Sequence, residues 1–360
     1  MPEHRLAAAD ALLAKIPDPV ILVDAHAVLV EANAAAHRLL PLLQRGEPLS
    51  LALRAPDVLD AIAEVVSTGR PAKVEYAERR SAGRAFEVHV SPLHGRGTSG
   101  SDEVVLVFRD LTAARRLERM RVDFIANVSH ELRTPLASLL GFVETLQGPA
   151  RNDPAARDKF LEIMREQAQR MARLIDDLLS LSRIELQAHV QPETPVDVLP
   201  IVQHVIDSLS ALAAERGVII ALEADSRPLI VRGDRDELLR VGENLIENAI
   251  KYGGSGGRVE VALRRAMRED GPGQIELSVR DYGPGIAPEH LPRLTERFYR
   301  VDVTESRQQG GTGLGLALVK HIVNHHRGRL RIESEPGQGA TFTVALQEHV
   351  QHGATPLPVI

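Results

Sequence analysis

Phe124–Leu136 reads FIANVSHELRTPL. In a helix this stretch sets His130, Glu131 and Thr134 within about one turn, and Pro135 follows at once. An imidazole beside a carboxylate and a proline fits a site where the imidazole ring is itself the group acted upon. Pro135 brings no N–H, so the carbonyl of Glu131 loses its helical partner and the helix can bend beside His130. Such a chain needs a phosphoryl donor and a protein that receives the group.

Outward from this stretch, Leu117, Met120, Phe124, Val128, Leu132, Leu136 and Leu139 recur every three or four residues and form one apolar stripe. Gln147-Gly148-Pro149 stops the helix. Phe160, Ile163, Met171, Leu174, Leu178 and Leu181 mark a second one. Two long amphipathic helices with a short loop form a hairpin, which cannot hide both stripes by itself. Two hairpins from two chains close a four-helix bundle, so the pattern predicts a homodimer.

Upstream the period changes to mixed α/β. A short helix, Ala8–Lys15, leads through Pro17-Asp18-Pro19 into strand-like runs at Val20–Val23 and Val28–Glu31. Helical stretches follow near Ala34–Leu40 and Pro56–Ser67, then strand-like runs at Lys73–Glu78, Ala85–Ser91 and Glu103–Phe108. Gly95–Ser101 has the composition of a flexible hairpin loop. Five strands with helices between the second and third resemble a PAS sensor domain, and Asn33 sits where such domains commonly carry Asn. Asn33 and His37 read as structural rather than ligand-binding.

Downstream, Gln191–Pro200 with three prolines reads as a linker. Helices are expected at Ile201–Ala214, Asp236–Tyr252 and Gly315–Asn324. Strands are expected at Val218–Glu223, Leu229–Arg232, Arg258–Arg264, Gln274–Arg280, Arg329–Ser334 and Ala340–Leu346.

The 360 residues suffice for two or three domains. A formal net charge of −6 argues against nucleic-acid binding by electrostatics. The absence of cysteine excludes disulfides, thiolate metal sites and a flavin–thiol photosensor, and fits a reducing compartment. No run approaches the roughly 18 apolar residues of a membrane helix, and the N-terminus does not read as a secretory signal. The expectation is a cytoplasmic chain without evident membrane association; a longer, membrane-anchored form is compatible with it.

Three further motifs carry chemistry. Gly311–Leu316, GTGLGL, opens a helix, where glycines and free N–H groups suit phosphate. Asn244 and Asn248 lie four apart on one helix face and can offer carbonyl oxygens to Mg²⁺, with Lys251 adding charge at the same end. Asp281 ends an alternating strand before Gly283-Pro284-Gly285 and can accept a hydrogen bond from an amino group such as that of adenine. His325-His326 reads as a solvated helix end, with no third residue to complete a metal site.

The ordered set H-E-L-R-T-P, N-x-x-x-N, D-x-G-x-G, F-Y-R, G-T-G-L-G-L and G-x-G-A-T-F resembles the signature of sensor histidine kinases across residues 110–348. His290–Val323 further resembles the phosphate-regulon branch of that family. The resemblance implies that His130 is the phospho-acceptor, that Glu131 draws or orients the proton on the other ring nitrogen, and that Thr134 positions water when the kinase dephosphorylates its partner. It makes Asn244 and Asn248 the Mg²⁺ ligands. Lys251 and Tyr252 become phosphate and base contacts, and Asp281 the adenine reader. Arg300 and Arg307, in or beside a mobile lid at 299–312, suit the phosphate tail. Gly283, Gly285, Gly311, Thr312, Gly313, Leu314 and Gly315 form the nucleotide loops.

The implied fold is multidomain α+β. A PAS-like α/β sensor domain spans 8–111, and an antiparallel dimerisation and phosphotransfer hairpin spans 112–190. An α/β-sandwich ATP-binding domain of the Bergerat type spans 195–348, and a disordered tail 349–360. The implied function is ATP-dependent phosphorylation of His130, transfer to an aspartate of a response-regulator receiver domain, phosphatase activity, and phosphate-starvation signalling. Two alternatives compete. A chaperone or topoisomerase ATPase of the same nucleotide fold lacks the histidine box. A non-catalytic or phosphatase-dominant scaffold sits poorly with intact Asn248, Asp281 and glycine loops.

Overall fold

The computed structural model describes residues 13, 15–78, 83–93, 103–187, 190–225, 228–266, 273–302 and 311–349. Most of the expected helix Ala8–Lys15, the Gly95–Ser101 loop, Arg307 and residues 350–360 of the expected tail lie outside them. The chain divides into two compact units, Met1–Ile125 and Ala126–Ile360.

The first unit is a five-stranded antiparallel sheet of β1 (Val20–Val23), β2 (Leu29–Ala32), β3 (Ala72–Ala77), β4 (Ala85–Leu93) and β5 (Glu103–Asp110), in the order β2-β1-β5-β4-β3. Helices α1 (Ala34–Leu39) and α2 (Pro56–Thr68) intervene between β2 and β3. Pro56 occupies the first turn of α2, where no N–H is needed, and Gly69 closes the helix in the left-handed region at φ 66°. Val58, Ile62 and Val65 share the buried face of α2 and meet Val88, Val90, Leu106 and Phe108 of the sheet in one core.

Asn33 ties this unit together. Its Oδ1 accepts from the N–H of Ala36 at 2.9 Å, capping α1, and from Val20 N at 3.1 Å. Its Nδ2 donates to the carbonyls of Leu13, Ile16 and Asp18 at 3.3, 3.3 and 2.9 Å.

Helix α3 (Thr112–Gln147) passes through Pro135 without interruption, and α4 (Pro154–Gln187) completes the hairpin of the second unit. Phe142 and Phe160 stack across the hairpin with centroids 5.2 Å apart. Leu136, Leu140, Leu161, Ile175, Leu179 and Leu186 remain exposed. Leu174, Leu181 and Ile184 are buried on α4, which packs against α7 (Gly315–His325). Part of the second stripe is therefore covered from within the unit.

The remainder is an α/β sandwich. Strands β7 (Ile219–Ala224), β9 (Arg258–Ala266), β10 (Gln274–Asp281), β11 (Arg329–Ser334) and β12 (Ala340–Gln347) form a sheet in the order β11-β12-β10-β9-β7, antiparallel except for β7 with β9. Helices α5 (Val198–Glu215), α6 (Arg235–Gly253) and α7 bury Val205, Leu245, Ile246, Ile250 and Val319 in the same domain core as Leu263 and Ile275. No helix among the described residues is long and apolar enough to cross a membrane.

Three expectations need correction. Gln191–Pro200 is not all linker. Pro195–Asp197 is a short strand, β6, paired with β8 (Ile230–Arg232), and α5 begins at Val198. Asp197 accepts from Leu199 N and Leu229 N, each at 3.2 Å, and Pro200 falls in the first turn, where helices tolerate it. The expected tail loses its first residue to the fold, since His349 N donates to the Ile230 carbonyl at 2.8 Å. Third, His325 and His326 are buried rather than solvated.

His325 Nδ1 lies 2.9 Å from Glu237 Oε2 and Nε2 lies 2.6 Å from the Val190 carbonyl. Both partners are acceptors, so both ring nitrogens carry protons. Burial opposes that charge, but Glu237 and the Val190 carbonyl outweigh it and hold His325 above the usual histidine value. His326 accepts from Asp234 N at 3.0 Å and donates to the Ile322 carbonyl at 2.9 Å, and burial pushes it down. Glu237, His325 and His326 lie close enough to share an ion, yet the ring nitrogens are already partnered.

A pH dependence follows. The stability due to His325 is fully present below about pH 6.5 and is lost as pH rises through its raised value. His326, shifted down, acts in the opposite sense. The melting-temperature gap between the parent and His325→Gln is expected to be widest near about pH 6 and to narrow toward about pH 8. Calorimetry across that range checks it; a gap that widens with pH contradicts it.

Candidate functional site

His130 stands exposed on α3, and Thr134 donates its hydroxyl to the His130 carbonyl at 3.2 Å, so the two share a helix face. Glu131 is turned elsewhere. Its Oε2 accepts from Arg170 Nη2 of α4 at 3.2 Å and from Arg300 Nη2 at 3.0 Å, with the carboxylate only 16% exposed.

The nucleotide-type motifs converge on one cleft of about 720 Å³, within the range of small-molecule sites. Asn244, Asn248, Lys251 and Tyr252 reach it from α6, Asp281 and Gly285 from the end of β10, and Arg300, Gly311, Thr312, Gly313 and Gly315 from the segment leading into α7. Leu314 is buried behind it, and its N–H donates to Thr312 Oγ1 at 3.3 Å. Gly283 supplies its N–H to Asp281 Oδ1 at 3.0 Å.

At Gly315 and Gly285 close approach admits no side chain. A Cβ on Gly315 would collide with Asn244 Oδ1. Gly285, at φ 71°, lies against the Glu335 carbonyl, where a side chain would strike backbone.

Asp281 is 7% exposed. Its Oδ1 accepts from Gly283 N at 3.0 Å and Ala340 N at 3.2 Å, which leaves Oδ2 for the cleft that the residue lines. Burial pushes its carboxyl up, against the pull of these donors. Asn244 Nδ2 donates to the Arg240 carbonyl at 2.8 Å, and only the amide's NH₂ end can do so. The carbonyl oxygen of Asn244 lies on the side of Gly315, which also lines the cleft. With Asn248, Glu243 and Glu247 on the same face, the donor set is rich in hard oxygen and fits Mg²⁺. Lys251 pairs with Glu247 at 2.7 Å.

Residues not singled out from the sequence also line the cleft. Arg240, Glu243 and Glu247 were legible in principle, since they repeat every three or four residues with Asn244, Asn248 and Lys251. Arg173, Asp176 and Asp177 come from the hairpin helix α4 and carry no local signal. Asp177 Oδ2 accepts from Thr312 Oγ1 at 3.0 Å, and burial pushes its carboxyl up.

Three family models match the chain. The histidine kinase-, DNA gyrase B- and HSP90-like ATPase model matches residues 233–350, the His kinase A phospho-acceptor domain 120–187, and the PAS fold 13–116. The phosphate regulon sensor protein PhoR of Pseudomonas aeruginosa is 38% identical over 341 residues, covering 92% of this chain and 72% of that one. The chain belongs to the sensor histidine kinases. The sensor-like histidine kinase SenX3 of Mycobacterium tuberculosis is 38% identical over 272 residues, 75% of this kinase and 64% of the relative. The kinase thus spans less than two thirds of SenX3. The solved histidine kinase AdeS of Acinetobacter baumannii aligns at 26% identity and a TM-score of 0.48, covering 61% of this chain and 97% of that one. The α+β architecture, with its PAS-like sheet, helical phospho-acceptor region and ATPase sandwich, is that of the family, and its ATPase domain is an ATP-binding one.

Proposed function

We propose that this kinase phosphorylates His130 from ATP and passes the phosphoryl group to an aspartate of a response-regulator receiver domain. The observation that carries the reading is that one compact unit holds both the exposed His130 on α3 and the cleft that collects Asn244, Asn248, Asp281, Arg300 and Gly315. The lone pair of one His130 ring nitrogen attacks the γ-phosphorus, the bond to the bridging oxygen breaks, and ADP leaves. Glu131 holds or takes the proton of the other nitrogen, for which it needs only to be ionised. Asn244 and Asn248 would hold Mg²⁺, which supplies charge neutralisation, while Lys251 and Arg300 add cationic charge beside the phosphates. Asp281 reads the adenine amino group, Tyr252 contacts the base, and the loops at Gly283–Gly285 and Gly311–Gly315 let backbone approach the nucleotide. Arg307 would join the phosphate contacts.

The exposed Leu117, Met120, Val122, Ile125, Leu136 and Leu140 along α3 support a homodimer through a four-helix bundle. Thr134, one turn from His130 and hydrogen-bonded to its carbonyl, would orient water for dephosphorylation of the partner. The resemblance to PhoR favours a role in phosphate signalling. We assign the division at 8–111, 112–190 and 195–348 to sensing, dimerisation with phosphotransfer, and catalysis.

Incubation with γ-labelled ATP is expected to give acid-labile, base-stable label on the parent protein and none on His130→Ala. Label that persists in the variant contradicts the assignment. Steady ATP turnover with no phosphoprotein would favour a plain ATPase of the same fold.

A further inference from the structure

Carboxylates of the hairpin sit on the groups of the ATPase domain that are best suited to hold anions. Glu131 of α3 accepts from Arg300, whose side chain is 4% exposed and lines the cleft. Among the described residues, Arg300 Nη2 also donates to the Gly311 carbonyl at 2.9 Å, and Nε is buried with no partner. Asp177 of α4 accepts from Thr312, in the glycine loop at the start of α7. Further along α4, Glu185 pairs with Arg297, and His321 Nε2 of α7 lies 3.7 Å from the same carboxylate. The contacts therefore repeat along the hairpin, and in each of these three the carboxylate comes from the hairpin and the donor from the ATPase domain.

We propose that these carboxylates act as stand-ins for nucleotide phosphate, so that hairpin docking and ATP binding compete for Arg300 and Thr312. This rests on the reading of the cleft as the ATP site. Two anions cannot share one buried guanidinium and one hydroxyl without mutual repulsion, so a triphosphate arriving at Arg300 and Thr312 displaces Glu131 and Asp177. The same contact withholds Glu131 from His130, because its carboxylate is bound to Arg170 and Arg300. Loading of the cleft and release of Glu131 become one event. The docked form is then a resting state whose stability sets the apparent affinity for nucleotide.

Calorimetric titration of the full chain with a Mg²⁺-loaded, non-hydrolysable ATP analogue tests this. Asp177→Ala and Glu131→Gln are each expected to tighten binding about three- to tenfold, the effect of removing one competing hydrogen bond from the docked form. Asp177→Asn preserves size and an acceptor for Thr312, so tightening there cannot arise from misfolding. Affinities equal to or weaker than the parent's in all three variants overturn the proposal and leave the ATP reading intact. An analogue that binds none of the proteins overturns both. The chain has no cysteine, so Glu185→Cys with Arg297→Cys gives a unique pair for a short thiol cross-linker. Saturating analogue is expected to lower the cross-linking yield, and a yield indifferent to it counts against competition.

Discussion

Asp281→Asn is expected to leave the ATPase domain folded while weakening nucleotide binding by about 100-fold or more, and Asp281→Ala to lose both. The two roles separate because they use different oxygens. Oδ1 accepts the N–H groups of Gly283 and Ala340, and an asparagine keeps that oxygen. Oδ2 is the atom left for a ligand's amino group, and in asparagine it becomes a donor facing a donor. Alanine removes both oxygens. It leaves two buried N–H groups without an acceptor, each costing about 1–3 kcal/mol. The domain should then be destabilised by roughly 2–6 kcal/mol, a large part of ordinary domain stability. Titration with an ATP analogue and scanning calorimetry on both variants check this. An asparagine variant that binds as well as the parent would show that Asp281 does not read the base.

Asn33→Ala should damage the first unit on a similar scale without touching the cleft. The alanine removes the cap of α1, worth about 1–2 kcal/mol. It also strips the buried N–H of Val20 of its acceptor and the carbonyls of Leu13, Ile16 and Asp18 of their donor. Roughly 3–4 kcal/mol of lost stability is expected. That corresponds to about 4–8 °C per kcal/mol for a domain near this size. Asn33→Asp keeps the cap and turns a negative oxygen toward three carbonyls, so it should recover only part of the loss. The check is thermal unfolding of both variants, with the ATP-analogue-stabilised transition unchanged. Near-parental melting of Asn33→Ala would mean that the network is dispensable.

Helices and strands whose side chains repeat at their own period were legible. The stripes on α3 and α4 and the alternation in β10 came from spacing alone, because burial on one face writes itself into local order. The short strand β6 was not legible. Three residues are too few to show a period, and Pro195 and Pro200 mask a strand and a helix start that tolerate them. His325 and His326 looked solvated because nothing nearby in the chain marks them. Glu237 and Val190, which surround His325, are 88 and 135 positions away.

The same division holds at the site. His130, Glu131 and Thr134 lie within one turn, and Asn244, Asn248 and Lys251 share one helix face, so local spacing was enough to group them as candidates, while their roles in phosphotransfer came from the resemblance of the ordered motifs to sensor histidine kinases. Which partner each side chain takes was settled only by folding. Glu131 meets Arg300 across 169 positions and Asp177 meets Thr312 across 135. Contacts between residues so distant leave no mark on local periodicity. They depend on how α4 seats against α7, and that is a matter of packing, which no single segment encodes.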